Sequence, residues 1–244
     1  MVLGQLIPVY WYDLIKYWRS SSIVSYENFE DKLLANIIRN YHVIEKGLTM
    51  PERRLGFGQS RLINLILDCK KYILKYSSDD LQLQHAIDVV DEYKRVHESN
   101  EYQLPEVLIV LIDELILYKI SAEVHTQIEM SKNDYFSSVR DSFGQFSLSR
   151  SSIRNYSNEE LSIDRIIDSL DLAKNYPSAC NRQAVRTYVY TERDKISKIL
   201  EIQGGNRGFG HLTQKLIVIT AELGVFISFA ERNQAFVDGG IYSL

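Results

Sequence analysis

The chain is short of cysteine, of unbroken apolar sequence and of excess positive charge, and each shortage excludes something. Of 244 residues only Cys69 and Cys180 are cysteines. They form no C-x-x-C pair and no metal-spaced cluster, so a disulfide framework is excluded and a reducing, cytoplasmic setting is expected. Proline is scarce too, at 4 residues. The longest internal apolar run, Val107 to Ile112, stops at Asp113-Glu114, far short of the roughly 20 residues a membrane span requires. Met1 to Tyr12 is apolar but carries no basic start, and Asp13 interrupts it, so no signal peptide is expected. Basic residues number 28 against 32 acidic, a net charge of -4. Without a basic footprint no nucleic-acid partner is expected. The five histidines (His42, His85, His97, His125, His211) show no H-E-x-x-H and no i, i+4 ligand pair, so no metal site is expected. No G-x-S-x-G elbow is present, which argues against a serine hydrolase.

What the chain does have is a globular composition, 45% hydrophobic and 25% charged, and two halves of different texture. The first half is helical in period. Leu33, Leu34, Ile37, Ile38 and Tyr41 mark one amphipathic helix. Leu62 to Leu74 and Leu83 to Val96 mark two more, and Pro105 opens a fourth predicted to run from Glu106 to about Met130. His85 and His97 are expected on helix surfaces, and Glu45-Lys46 as a solvated or locally paired helix face. The segment Ile7 to Trp18 carries Trp11, Tyr12, Tyr17 and Trp18 beside Lys16 and Arg19. Such a segment can lie on a membrane surface, or pack as an aromatic helix on its own domain or a partner. The latter is expected, without membrane contact. Residues 131 to 152, rich in Ser, Asn and Asp, read as a linker.

The second half mixes elements. Ser162 is a candidate N-cap for a helix over Ile163 to Tyr176. Arg186 to Thr191 alternates like a strand, Asp194 to Ile202 reads as a short helix, and Leu216 to Ala221 as a buried strand. A last helix begins near Gln234. The pattern is that of an α+β protein, with a helical region over residues 1–135 and a mixed domain over 149–244.

Three clusters in the second half bear chemistry. Ser149-Arg150-Ser151-Ser152-Ile153-Arg154 places two arginines around hydroxyls, a set that matches phosphate oxygens, or a solvated basic stretch. Pro177-Ser178-Ala179-Cys180-Asn181-Arg182-Gln183 has small residues that let a planar ligand approach, and amides in Asn181 and Gln183; it also reads as a polar helix-to-strand turn. Gly204-Gly205-Asn206-Arg207-Gly208-Phe209-Gly210 is glycine-rich but is no phosphate-loop or dinucleotide fingerprint, and reads as a ligand-wrapping or mobile surface loop.

Taken in order, R-S-S-I-R-x-Y, a helix, then P-S-x-x-N-x-Q and a strand resemble the nitroreductase family of flavin enzymes. Glu231-Arg232-Asn233-Gln234 and Asp238-Gly239-Gly240 also resemble it. His42-Val43-Ile44-Glu45-Lys46-Gly47-Leu48, with Arg54 and Gly56-Phe57-Gly58, resembles the helical leader of a subgroup found among bacterial surface-polysaccharide genes. The resemblance implies an FMN-dependent oxidoreductase. Hydride would pass from NAD(P)H through FMN to a small-molecule acceptor, in a homodimer. It implies FMN phosphate contacts from Arg150 and Ser152 and a cation at the pyrimidine edge from Arg154. It further implies backbone approach at Ser178, Ala179 and Cys180, polar contact from Asn181, and an amide at Asn206. Ser151 and Gln183 complete the implied cofactor set. No side chain is assigned a catalytic role, because the chemistry belongs to the cofactor.

The chain also departs from the family pattern. Ala184-Val185 stand where many members have Pro-Trp, and Cys180 where Ser or Thr is common. The family's final strands and distal basic ligands fall beyond Leu244. The flavin domain, a partial nitroreductase-like α/β sandwich, is therefore expected to be C-terminally incomplete, with weakened FMN binding. The alternative is a truncated or degenerate non-catalytic member acting as a binding or structural subunit.

Overall fold

The computed structural model describes residues 2–21, 29–120 and 126–244. It is α+β and consists of two compact units, Met1–Arg154 and Asn155–Leu244.

The first unit is helical. Its helices are α1 (Val2–Ser20), α2 (Glu30–Leu48), α3 (Gln59–Lys75), α4 (Leu81–Ser99), α5 (Glu106–Ile116), α6 (Lys132–Tyr135) and α7 (Phe143–Ser149). Apolar residues at three-to-four spacing make α2 to α5 amphipathic, and their apolar stripes meet in one core. Leu33, Ile37, Tyr41, Ile44 and Leu48 come from α2, and Leu62, Leu65, Ile66, Cys69 and Tyr72 from α3. Leu83, Ala86, Ile87, Val90 and Tyr93 come from α4, and Leu108, Ile112 and Leu115 from α5. Each fully buried Leu or Ile contributes about 1.5–3 kcal/mol. Asp80 caps α4 by accepting from the backbone N–H of Gln82 at 2.8 Å and of Leu83 at 3.0 Å. Such a cap contributes about 1 kcal/mol.

Three expectations change here. Helix α5 ends at Ile116, well before Met130. The chain beyond it is captured by α4: Gln84 donates to the Tyr118 carbonyl at 3.0 Å and accepts from Ile120 N–H at 2.9 Å. Lys119 pairs with Asp91 at 2.7 Å and Asp88 at 3.3 Å. Residues 121–125 of that expected helix, His125 among them, lie outside the described residues. His97 is fully buried rather than on a surface. It sits between Tyr93, whose carbonyl its Nδ1 contacts at 2.7 Å, and Gly56, whose N–H donates to its Nε2 at 2.9 Å. Finally, the Ser-rich stretch after residue 130 contains short capped helices. Ser131 accepts from Asp134 N–H at 3.2 Å and Ser142 from Gln145 N–H at 3.4 Å.

Gly56-Phe57-Gly58 is what folds the loop between α2 and α3. Phe57 packs edge-on to Tyr93 with ring centroids 5.2 Å apart, and its carbonyl accepts from the Tyr93 hydroxyl at 2.6 Å. Gly56 and Gly58 both take positive φ, +72° and +65°, which glycine adopts without a Cβ penalty. The aromatic residues of α1, Trp11, Tyr12, Tyr17 and Trp18, are exposed.

The second unit contains α8 (Ile163–Ala173), β1 (Val185–Tyr190), α9 (Arg193–Gln203), β2 (Leu216–Ala221) and α10 (Gln234–Tyr242). Strands β1 and β2 pair antiparallel, with Val185 opposite Ala221 and Tyr190 opposite Leu216. Ser162 caps α8 by accepting from Arg165 N–H at 3.4 Å. Helix α8 stops at Ala173, three residues before the expected end at Tyr176. Tyr176 leaves the helical path to meet Tyr242 edge-on at 5.3 Å. Helix α10 packs on β2 and β1. Strand β2 is half-buried instead of buried, with Ile217 and Thr220 exposed. Successive side chains of a strand point to opposite faces.

Candidate functional site

The turn Ser178 to Gln183 joins α8 to β1 and has an unusual backbone. Cys180, Asn181 and Gln183 take left-handed φ of +52°, +53° and +50°. None is glycine, and a left-handed conformation costs an L-residue about 1–2 kcal/mol. Such conformations persist where the surroundings over-determine them, and they cluster at functional sites.

The hydrogen bonds that hold this turn are specific. Ser178 Oγ accepts from the Gln183 backbone N–H at 3.1 Å and from Gln183 Nε2 at 3.4 Å. Gln183 Nε2 also donates to Asn181 Oδ1 at 2.7 Å. Asn181 and Arg182 donate their N–H groups to the Ser178 and Ala179 carbonyls at 2.9 and 3.1 Å. The Asn181 side chain thus spends its oxygen inside the turn, while its exposed Nδ2 has no partner among the described residues.

The anchor of the turn is Arg182, which sequence reasoning did not single out. Its Nε donates to the Ala179 carbonyl at 2.9 Å and its Nη1 to the Val225 carbonyl at 2.9 Å. Nη1 and Nη2 both reach the Glu231 carboxylate, in the bidentate geometry a guanidinium favours. Glu231 Oε2 also accepts from Ile227 N–H at 2.9 Å. The Arg182 hydrogen bonds, followed by that of Ile227, pull the Glu231 carboxyl down to about 2. Nothing in the local sequence pairs two residues this far apart.

The arginine–serine segment lies in the first unit, immediately before Asn155. Residues 150–154 are outside helix and strand, and Arg150, Ser151 and Ser152 are exposed. The side chains of Arg150, Ser151, Ser152 and Arg154 have no hydrogen-bond or ion-pair partner among the described residues. Their donors are therefore unspent.

Asn206 is in a different situation. Gly204, at φ +70°, ends α9 in a left-handed C-cap. Asn206 Nδ2 then donates back to the Leu200 carbonyl and, at 3.1 Å, to Gln203 Oε1. Gly210 N–H donates to the Asn206 carbonyl at 2.8 Å. Arg193 ties the following segment through the Thr213 carbonyl at 2.7 Å and the His211 carbonyl. The glycine-rich loop is a bonded helix terminus, and the Asn206 amide is committed to it.

Of the two cysteines, Cys69 is buried and burial pushes its thiol up, whereas Cys180 is exposed. Among the described residues no group of three or more His, Cys, Asp and Glu is placed to hold a metal ion. No described helix is long and apolar enough to cross a membrane.

Compared with known proteins, residues 148–206 match the model of the Nitroreductase family. That segment contains the arginine–serine motif, the left-handed turn and Asn206. No curated protein and no solved structure matches the chain.

Proposed function

We propose that this chain binds FMN and is an FMN-dependent oxidoreductase of nitroreductase type. The observation that carries the reading is the turn 178–183. Three non-glycine residues are held left-handed by a dedicated set of bonds, inside the segment that matches the family. The donor chemistry fits the cofactor. Arg150, Ser151 and Ser152 offer two-pronged and hydroxyl donors suited to a phosphate. Arg154 offers a cation for the edge of the ring where negative charge develops. The backbone at Ser178 to Cys180 and the unspent Nδ2 of Asn181 present donors to a flat ligand, and Gln183 holds the turn that carries them. Asn206 contributes by closing α9 rather than through a free amide. When bound, FMN supplies two-electron redox chemistry between NAD(P)H and a small-molecule acceptor.

A homodimer in a reducing, cytoplasmic compartment completes the proposal, with a role in surface-polysaccharide synthesis suggested by the leader resemblance. The exposed Phe236 and Val237 on α10 give a dimer an apolar face. A second reading, a non-catalytic binding or structural subunit, is favoured by the commitment of Asn206 to the end of α9. FMN fluorescence titration of wild type and Arg150→Ala separates the two. Losing a charge-assisted bond costs about 1.5–3 kcal/mol, so the oxidoreductase reading expects affinity to fall roughly ten- to a hundredfold. An unchanged dissociation constant removes Arg150 from the site. Absence of binding in both proteins favours the subunit.

A further inference from the structure

The helical unit carries a second set of cations that the flavin reading leaves unused. Beside the apolar seam between α2 and α3, Asn36, Arg39, Asn40, Arg61, Asn64 and Asp68 line a cleft of about 240 Å³. Their spacing along each helix, i, i+3 and i+4 on α2 and i, i+3 and i+7 on α3, puts each set on one face. Asn36 is 7% exposed and Asn40 2%. A buried amide is costly unless its polar atoms are bonded. Asn36 is satisfied at both ends: Nδ2 donates to Asp68 Oδ2 at 2.5 Å, and Oδ1 accepts from Arg39. Asn40 is satisfied at one end only. Its Oδ1 accepts from Arg61 Nη1 at 3.0 Å, and its Nδ2 has no partner among the described residues.

Neither Arg39 nor Arg61 makes an ion pair with a carboxylate among the described residues, in a chain with more acidic than basic residues. Among the described residues each guanidinium spends a single donor, on Asn36 or Asn40. Two buried amides therefore hold two arginine heads at one cleft, and Asn40, also in its lining, keeps an amide donor unspent. The one carboxylate of the lining, Asp68, is bonded to Asn36. The complementary ligand is an oxyanion with several acceptor oxygens and more than one negative charge, which a phosphoryl group provides and a carboxylate does not. A volume below the roughly 300–1,000 Å³ of drug-sized sites limits it to a small molecule or a head group.

We propose that this cleft binds the phosphoryl group of a small phosphorylated ligand. Arg39 and Arg61 neutralise it, Asn40 Nδ2 donates to it, and Asn36 positions Arg39. The site is separate from the FMN phosphate contacts proposed at Arg150 and Ser152 and does not depend on them.

The test is calorimetric titration of the full chain with inorganic phosphate and, at matched ionic strength, with acetate. The expected result is saturable phosphate binding that Arg39→Gln and Arg61→Gln each weaken at least tenfold, with helix content unchanged by circular dichroism. Phosphate affinity should be unaffected by Arg150→Ala, which separates this site from the flavin reading. Both arginines reach solvent at their heads, so these variants are expected to fold; Leu67→Ala at the rim serves as a folded control that retains binding. No saturable phosphate binding, equal binding by the Arg39→Gln/Arg61→Gln double variant, or acetate binding as tightly as phosphate would each overturn the proposal.

Discussion

Substituting Gly47 with alanine sets two effects of similar size against each other. Gly47 lies in the last turn of α2, where alanine gains about 1 kcal/mol over glycine in helix propensity. An added Cβ would sit 2.5 and 2.6 Å from Phe57 Cδ2 and Cζ, and closer still to Cε2. Carbon contacts settle near 3.5–4.0 Å, so the ring must retreat by roughly 1.5 Å. It has little room to do so. Its carbonyl is held by the Tyr93 hydroxyl, the preceding N–H by His97, and its ring packs on Tyr93. Forcing a methyl group into such packing costs about 1–3 kcal/mol. The clash therefore wins, and Gly47→Ala is expected to destabilise the helical unit by about 1 kcal/mol net, lowering Tm by about 2–4 °C. Thermal unfolding followed by far-UV circular dichroism measures this. In a Phe57→Leu background the same substitution should be neutral or stabilising, because the obstructing ring edge is gone. A higher Tm for Gly47→Ala in the wild-type background would refute the reasoning and mean that the 50–58 loop yields freely.

Two histidines give opposite pH dependences. Burial, assisted by Arg53, holds His97 below its ordinary value. Its contribution is full above about pH 6.5 and is lost as pH falls through the folded value. His97→Gln should flatten the acid limb of a Tm–pH curve. His85 is held above its ordinary value, chiefly by the hydrogen bond to Glu45 at 2.7 Å. Its contribution is full below about pH 6.5 and is lost as pH rises through the folded value. His85→Gln should flatten the neutral-to-alkaline slope, and a variant curve parallel to wild type would contradict either assignment. Asn181→Gly removes the amide while relieving a left-handed strain of about 1 kcal/mol. It should keep or raise Tm yet weaken FMN binding severalfold, whereas unchanged FMN affinity would reduce Asn181 to a turn residue.

The helical core was readable because its signal is local and periodic. Leu33, Ile37, Tyr41 and Ile44 repeat at the helical interval and all face the core. Ser162 before an apolar stripe, and alternation over Tyr188 to Tyr190, placed α8 and β1 for the same reason. What escaped depends on partners distant in sequence. The periodicity beyond Ile116 is overridden by Gln84 and by the Lys119 pairs with Asp88 and Asp91. His97 is buried because Gly56, far away in the chain, folds its N–H onto the ring. The Arg182–Glu231 anchor spans two turns that share no pattern. The left-handed backbone at Cys180, Asn181 and Gln183 carries no glycine to announce it. The amide of Asn206, suited in type to a ligand, closes a helix instead.

The central claim is that this chain holds FMN. Titrating the full chain into FMN while following flavin fluorescence and the visible absorption band tests it most directly. The account predicts a saturable change approaching one FMN per chain, with a shifted band that NAD(P)H bleaches. Fluorescence and absorption identical to free FMN at saturating protein would contradict it.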